Sequence, residues 1–229
     1  MATFVLVPGA LHGGWWFEPL ARDLRAHGHR AHALTLSGLG ERRRDAAGQV
    51  NLDTHIEDVL AVLELHRIED AVLVGHSYGG MVATGAADRA PARIAGLVYA
   101  DAFVPRDGES AFDLCNEEWR TRYLEGAAGT GHSLVGLNPA LDPRTTPQPI
   151  GTLLQRIRLT GAGEAVTNRT YVHAAAFEGS PFLPTYRRLS ADPAWTVHAL
   201  PVGHDLMREA PDDLLRITLA AAPADTLRT

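Results

Sequence analysis

The segment AVLVGHSYGGMVA, residues 71 to 83, constrains the fold more than any other, because a buried-looking apolar run meets a glycine-flanked serine and then a helix-forming stretch. Gly75-His76-Ser77-Tyr78-Gly79 fits G-x-S-x-G, and a strand before it with a helix after it is the context in which that pattern carries chemistry. The reason is geometric. A sharp turn strains the serine backbone, glycine-sized neighbours let strand and helix approach, and the hydroxyl is left projecting from the sheet edge. Ser77 also falls at a helix N-terminus, where free N–H groups and the helix dipole favour developing negative charge. A serine N-cap between glycines is the plain alternative, and the surrounding pattern argues against it. Ser77 is the expected nucleophile.

The first half of the chain repeats one rhythm: a β-branched apolar run, a Gly-bearing turn, a stretch with helical spacing, and another apolar run. Such alternation predicts a parallel sheet. Strands are expected over Phe4 to Val7, Arg30 to Leu34, Ala71 to Val74 and Ile94 to Tyr99, with helices over Trp16 to Ala26, Asp53 to His66 and Ser77 to Asp88. After Pro105 the rhythm stops. Residues 107–167 hold no convincing strand, helical stretches at Ala111 to Leu124 and Ile150 to Leu159, and a Gly- and Pro-rich connection between them. That suits a cap draped over a site. Sheet-like sequence resumes at Arg169 to Ala174 and Trp195 to Ala199, and a helix over Pro211 to Ala221 closes the pattern. The expectation is one α/β domain over residues 1–229, of a size to bury one core, with the cap at 107–167 inserted into it.

A net charge of -6 disfavours a surface built to neutralise phosphates, so nucleic acid and anionic membranes are poor partners. Arg42 to Arg44, between glycines, read as a solvated charge run. Cys115 is the only cysteine, which rules out an intrachain disulfide and multi-thiolate metal sites, and the 11 histidines show no metal-ligand spacing. The opening MATFVLVPG has no cationic stretch before a short apolar run, which points to a cytoplasmic protein. No metal and no cofactor are expected. The expected partner is a small-molecule substrate; a homodimer is left open.

FVLVPGALHGGWWF at the start, LVGHSYGGMVA, LVYADAFVP ahead of the cap and LPVGHDLM near the end together resemble the α/β-hydrolase superfamily. Within it, the chain is similar to the branch of plant methylesterases, salicylate-binding proteins and hydroxynitrile lyases, and to small bacterial esterases. The resemblance implies the α/β-hydrolase fold, a mostly parallel sheet flanked by helices with a small helical cap inserted after the strand ending near Asp101. It also implies a base late in the chain. His204, in Gly203-His204-Asp205 after a late strand, stands in the chain order expected of that fold and can take and return the serine proton. The loop Pro8-Gly9-Ala10-Leu11-His12-Gly13-Gly14 carries an oxyanion donor in similar proteins. The N–H of Ala10, paired with that of Tyr78, is the expected pair. A dinucleotide site is the alternative for such a loop, but the G-x-G-x-x-G spacing is absent.

The acid departs from the usual pattern. Relatives place it after the strand that follows the cap, where the only carboxylate is Glu178 in Phe177-Glu178-Gly179-Ser180-Pro181. Asp101, ending the strand one beyond the nucleophile, is the other candidate, as in some lipases and haloalkane dehalogenases. A carboxylate at a strand end is held more rigidly than one in a Gly-Ser-Pro loop, which favours Asp101 and keeps Glu178 as the alternative.

The hydroxynitrile lyases resemble the chain but carry a lysine after the catalytic histidine and an acid before the serine, where this chain has Asp205 and His76. A cyanide leaving group needs a cation, so the expected reaction is hydrolysis of a small carboxylic ester through a Ser-His-Asp/Glu triad and an acyl-enzyme. Leu11, His12, His76, Phe103, Trp119, Tyr123 and Phe182 are the candidate substrate-lining residues, each set against the plainer reading of core packing. Two alternatives stand: a non-hydrolytic enzyme of the same fold, such as a polyketide-type cyclase or a lyase, using His204 as general base, and a ligand-binding protein with a vestigial site.

Overall fold

Each apolar run of the first half becomes a strand of one sheet, and the residues between runs become the helices that cover it. The computed structural model describes residues 1–47, 50–134 and 142–223. In chain order these are β1 (Thr3–Val7), α1 (Glu18–Ala26), β2 (Arg30–Ala33), α2 (Leu52–Leu65), β3 (Ala71–His76), α3 (Gly79–Arg89) and β4 (Ile94–Ala100). After β4 the chain leaves the sheet through α4 (Ala111–Leu114), α5 (Glu117–Ala128), a two-stranded antiparallel pair β5 (Ser133–Leu134) and β6 (Gln148–Pro149), and α6 (Gly151–Leu154). It returns through β7 (Arg169–Ala174), α7 (Leu183–Ser190), β8 (Thr196–Leu200), α8 (Leu206–Glu209) and α9 (Pro211–Ala220).

The main sheet has six strands in the order β2-β1-β3-β4-β7-β8, all pairings parallel. A parallel sheet covered on both faces needs strands apolar on both sides. Every residue of β1 and of β3 is buried accordingly. One core layer packs Val5, Val7, Leu73 and Tyr99 against Ile56, Val59 and Leu63 of α2 and Met81 and Val82 of α3. The opposite layer packs Phe4, Leu6, Val72, Val74 and Val98 against Leu20 and Leu24 of α1 and Leu214 and Ile217 of α9. Each such aliphatic side chain contributes about 1.5 to 3 kcal/mol on burial.

Local chemistry sets the helix ends. Asn51 caps α2 by accepting from Thr54 N–H (3.0 Å), and the Thr54 hydroxyl accepts from Asn51 N–H in return. The helical stretch expected over 111–124 is two helices, because Asn116 interrupts it and caps α5 through Trp119 N–H (3.0 Å). The helix expected over 150–159 stops at Leu154, where Gln155 turns extended and its side chain binds the N-terminal turn of α2. The strand pair β5–β6 is a further difference from the sequence reading, being too short to carry a period. So is Arg42, which is no idle surface charge. Its guanidinium donates to Asp58 (2.9 Å), to the Ser37 hydroxyl (2.8 Å) and to the Thr35 carbonyl (3.0 Å), tying the loop after β2 to α2.

Candidate active site

Backbone strain marks one edge of the sheet. Among the described residues, four other than glycine have positive φ, and three of them follow strand ends on that edge: Leu11 (70°) after β1, Ser77 (53°) after β3 and Asp101 (42°) after β4. Such conformations cost free energy and collect at functional sites. This is also the carboxyl edge of a parallel sheet, where ligands of open α/β folds bind.

The Ser77 turn is held closed by close packing. A Cβ on Gly79 would collide with the carbonyls of Val7 and Pro8, and one on Gly80 with the Phe103 carbonyl. Only glycine fits at either place. Ser77 N–H donates to Ala100 (3.4 Å) and its carbonyl accepts from Phe103 N–H (3.1 Å), so the turn is bonded to the exit of β4. A Cβ on Gly9 would stand 3.0 Å from that of Ser77, which sets the loop after β1 against the serine.

Asp101 extends the row one strand over. Register pairs His76 with Ala100 and Ala100 with Val172, so Ser77, Asp101 and His173 follow one another across neighbouring strand ends. The Asp101 carboxylate is wholly buried, and its Oδ2 accepts from His204 Nδ1 at 2.7 Å. Its Oδ1 accepts from Ala174 N–H (3.1 Å) and faces His173 Nδ1 (3.3 Å). Burial alone raises a carboxyl pKa, but these donors outweigh it and hold Asp101 below the usual carboxylate range. Glu178, the other candidate acid, is exposed in its loop.

His204 hangs from a loop that continues the β7–β8 pairing, with Ala175 and Ala176 N–H donating to Leu200 and Val202. Its carbonyl accepts from His76 Nε2 (3.1 Å), and the two rings stand 4.5 Å apart. Burial holds His76 well below its ordinary pKa, so this neutral ring stacked on Trp16 (4.1 Å) steadies the His204 backbone. Phe177 and Phe182 lie nearly parallel to the His204 ring at 4.8 and 5.2 Å.

The other sequence-named residues divide. Phe103 packs on Phe182 (4.7 Å) and Trp119 on Phe177 (6.0 Å), which joins them to the aromatic wall beside His204. Tyr123 instead is buried in α5 against Cys115 and Trp119. His12 folds back so that Nδ1 donates to the Ala10 carbonyl (2.6 Å), beside Trp15 and Trp16. Leu11 N–H donates to Gln148 Oε1 (3.0 Å), and the Leu11 carbonyl accepts from Thr146 N–H (3.0 Å). Neither Ala10 nor Tyr78 N–H has a hydrogen bond to the described residues.

Four participants escaped the sequence reading: His173, Phe177, Gln148 and His55. Phe177 stands in the loop read only for its acid, and His173 is a polar residue in the otherwise apolar run VHAAA, a signal open to notice. Gln148 lies in a stretch without periodicity and had none. Gln148 is fully buried, and its Nε2 donates to Thr152 (2.7 Å). The Tyr78 hydroxyl meets His55 Nδ1 (2.9 Å), whose Nε2 donates to the Ser37 carbonyl (2.9 Å).

A strained serine between sheet and helix, on the edge where a buried carboxylate meets a late-chain imidazole, is the architecture of a hydrolase with a parallel-sheet core. The alpha/beta hydrolase family model matches residues 4–217, and the chain belongs to that family. A carbendazim hydrolyzing esterase from a Nocardioides species is 39% identical over 234 residues, covering 93% of this chain and 97% of that protein. Methylesterase 2 of Arabidopsis thaliana is 36% identical over 67% of this chain and 65% of its own length. Among solved structures, an extracellular alpha/beta-hydrolase from a Paenibacillus species superimposes with a TM-score of 0.83 at 21% identity, over 97% of this chain and 99% of that one. Among the described residues, no helix is long and apolar enough to cross a membrane.

Proposed function

We propose that Ser77, His204 and Asp101 act as nucleophile, base and orienting acid in hydrolysis of a small carboxylic ester through an acyl-enzyme. The protein is a carboxylic ester hydrolase. The observation that carries the assignment is the 2.7 Å contact between Asp101 Oδ2 and His204 Nδ1 on the strained edge beside Ser77. With Nδ1 donating to Asp101, Nε2 of His204 is the nitrogen left to accept the Ser77 proton. The freed Oγ attacks the ester carbonyl, and the N–H groups of Ala10 and Tyr78 receive the oxyanion. Collapse expels the alcohol, which takes the proton from His204. Water, deprotonated by the same imidazole, then cleaves the acyl-enzyme to the acid and restores Ser77.

The wall of Phe103, Trp119, Phe177 and Phe182 supports an apolar or aromatic group on the substrate, and the inserted segment 107–167 serves as the cap. Carbendazim, named for the Nocardioides relative, and methyl esters are the first substrates to try. The same reading places the enzyme in the cytoplasm, which the lone Cys115, with no intrachain disulfide to form, supports; cell fractionation checks it. Sedimentation velocity decides between one copy and a homodimer.

The test is labelling by a fluorophosphonate together with burst release of p-nitrophenol from p-nitrophenyl acetate. We expect both from the wild type and neither from Ser77→Ala, whose kcat falls by about five to six orders of magnitude. Folded wild-type protein that fails to label, or turnover that survives the substitution, ends the proposal; the latter would favour His204 acting as base on a carbon acid.

A further inference from the structure

Asp101 has two oxygens, and the mechanism above uses one. The other is the more buried side of the group: the His204 side chain is 29% exposed, whereas that of His173 is 7% exposed and that of Asp101 is 0%. A buried carboxylate is costly unless its lone pairs are occupied. Oδ1 is occupied by the Ala174 N–H at 3.1 Å and by His173 Nδ1 at 3.3 Å. The His173 ring is fixed in turn by stacking on Tyr186 of α7, with centroids 4.2 Å apart and planes 16° from parallel. Facing an ionised carboxylate, Nδ1 of His173 must carry the proton, since two acceptors cannot bond. His173 is therefore, with the Ala174 N–H, one of two groups that hold the Oδ1 side of the carboxylate.

We propose that His173 is a positioning residue of the ester hydrolase: its Nδ1–H holds Asp101 Oδ1, so that Oδ2 is presented to His204 in the one orientation that fixes the imidazole. The inference rests on the triad proposed above. It explains how an acid moved to the end of β4 is steadied. The strand beside it, β7, supplies a donor in place of a carboxylate. The hydrogen bond from the His173 side chain stands with those from His204 and the Ala174 N–H among the donors that favour the ionised Asp101.

Two substitutions separate the donor from the packing. His173→Phe keeps an aromatic ring for Tyr186 and removes the donor; His173→Asn loses the stacking but carries an N–H on the atom corresponding to Nδ1. On p-nitrophenyl acetate we expect His173→Phe to lower kcat about 10- to 100-fold with KM within about twofold, the range for a lost hydrogen bond to a charged group. We expect His173→Asn to hold kcat within about threefold while melting at a lower temperature. A merely structural histidine makes the opposite pattern, with activity following stability. His173→Asn falling as far as His173→Phe, or His173→Phe staying within twofold of wild type, overturns the proposal. So does 15N NMR of the wild-type imidazoles at pH 8 showing His173 protonated on Nε2 rather than Nδ1, a measurement that stands even if the Phe variant does not fold. Loss of fluorophosphonate labelling in the wild type would instead remove the triad itself, so the two failures are told apart.

Discussion

On the assignment proposed above, the imidazole side and the oxyanion side of Ser77 are held by different parts of the chain. On the imidazole side, Asp101, His173 and Ala174 come from the ends of adjacent strands β4 and β7, and the His204 loop extends the pairing of β7 with β8. On the oxyanion side, Leu11 is pinned by Thr146 and Gln148 of the inserted segment, and Tyr78 by His55 of α2. The first side is part of the sheet, so its geometry follows from strand register. The second is clamped by side-chain and backbone groups that arrive across as many as 137 positions of sequence. Charge divides them too: the imidazole side centres on a buried anion, and the oxyanion side uses neutral amides, hydroxyls and a neutral imidazole.

The strongest way to break that contrast is to move the anion. Asp101→Asn keeps the shape and leaves His204 without the partner that fixes its tautomer, and a fall in kcat of about four orders of magnitude is expected. Glu178→Gln, in the exposed loop, should stay within about twofold. Steady-state kinetics on both variants decides it. A large loss at Glu178 with a small one at Asp101 would shift the acid into the loop and end the description of this side as sheet-built.

These outcomes also bear on what the sequence could convey. Strand ends were readable to within one or two residues because the central strands β1, β3 and β4 are short apolar runs bounded by turn residues. The strained turn at Ser77 was readable because it needs glycines at fixed offsets. Asp101 was harder: strand and acid are visible, but which of two carboxylates meets His204 depends on the order β4-β7-β8, which no local pattern prints. Gln148 was out of reach. Its partner Leu11 lies at the other end of the chain, and glutamine in a Pro-rich stretch reads as surface.

A smaller loss is expected on the oxyanion side. The Ala10–Leu11 peptide is gripped at both ends, with the Ala10 carbonyl accepting from His12 and the Leu11 N–H donating to Gln148. Gln148→Leu preserves bulk and strands the Leu11 N–H, loosening the left-handed turn that aims Ala10. Removing an oxyanion donor outright costs about 3 to 4 kcal/mol, and a displaced one less, so kcat should fall about 10- to 100-fold with KM little changed. If KM rises while kcat holds, Gln148 shapes substrate binding instead, and the clamp is not part of the oxyanion geometry.

The smallest effect sharpens the difference in charge. His55 is fully buried, and desolvation, only partly offset by its bond to the Ser37 carbonyl, lowers its pKa from 6.5 to about 4. In the unfolded chain it takes up a proton near 6.5, so between that pH and 4 the unfolded state binds more protons, and stability falls as the pH drops. The expected loss from His55 alone is about 2 kcal/mol by pH 5. Between pH 7 and pH 5 Asp101 is ionised in the folded and the unfolded chain alike, so the imidazole side adds little to the slope there from its acid. Buried His76 and half-buried His12 are also shifted downward and steepen the same slope, so only a variant isolates the His55 share. Urea unfolding of wild type and His55→Gln at pH 7 and pH 5 should show the variant less stable at pH 7 but losing less between the two. Equal losses in both proteins would mean that His55 is not what makes the oxyanion side sensitive to acid.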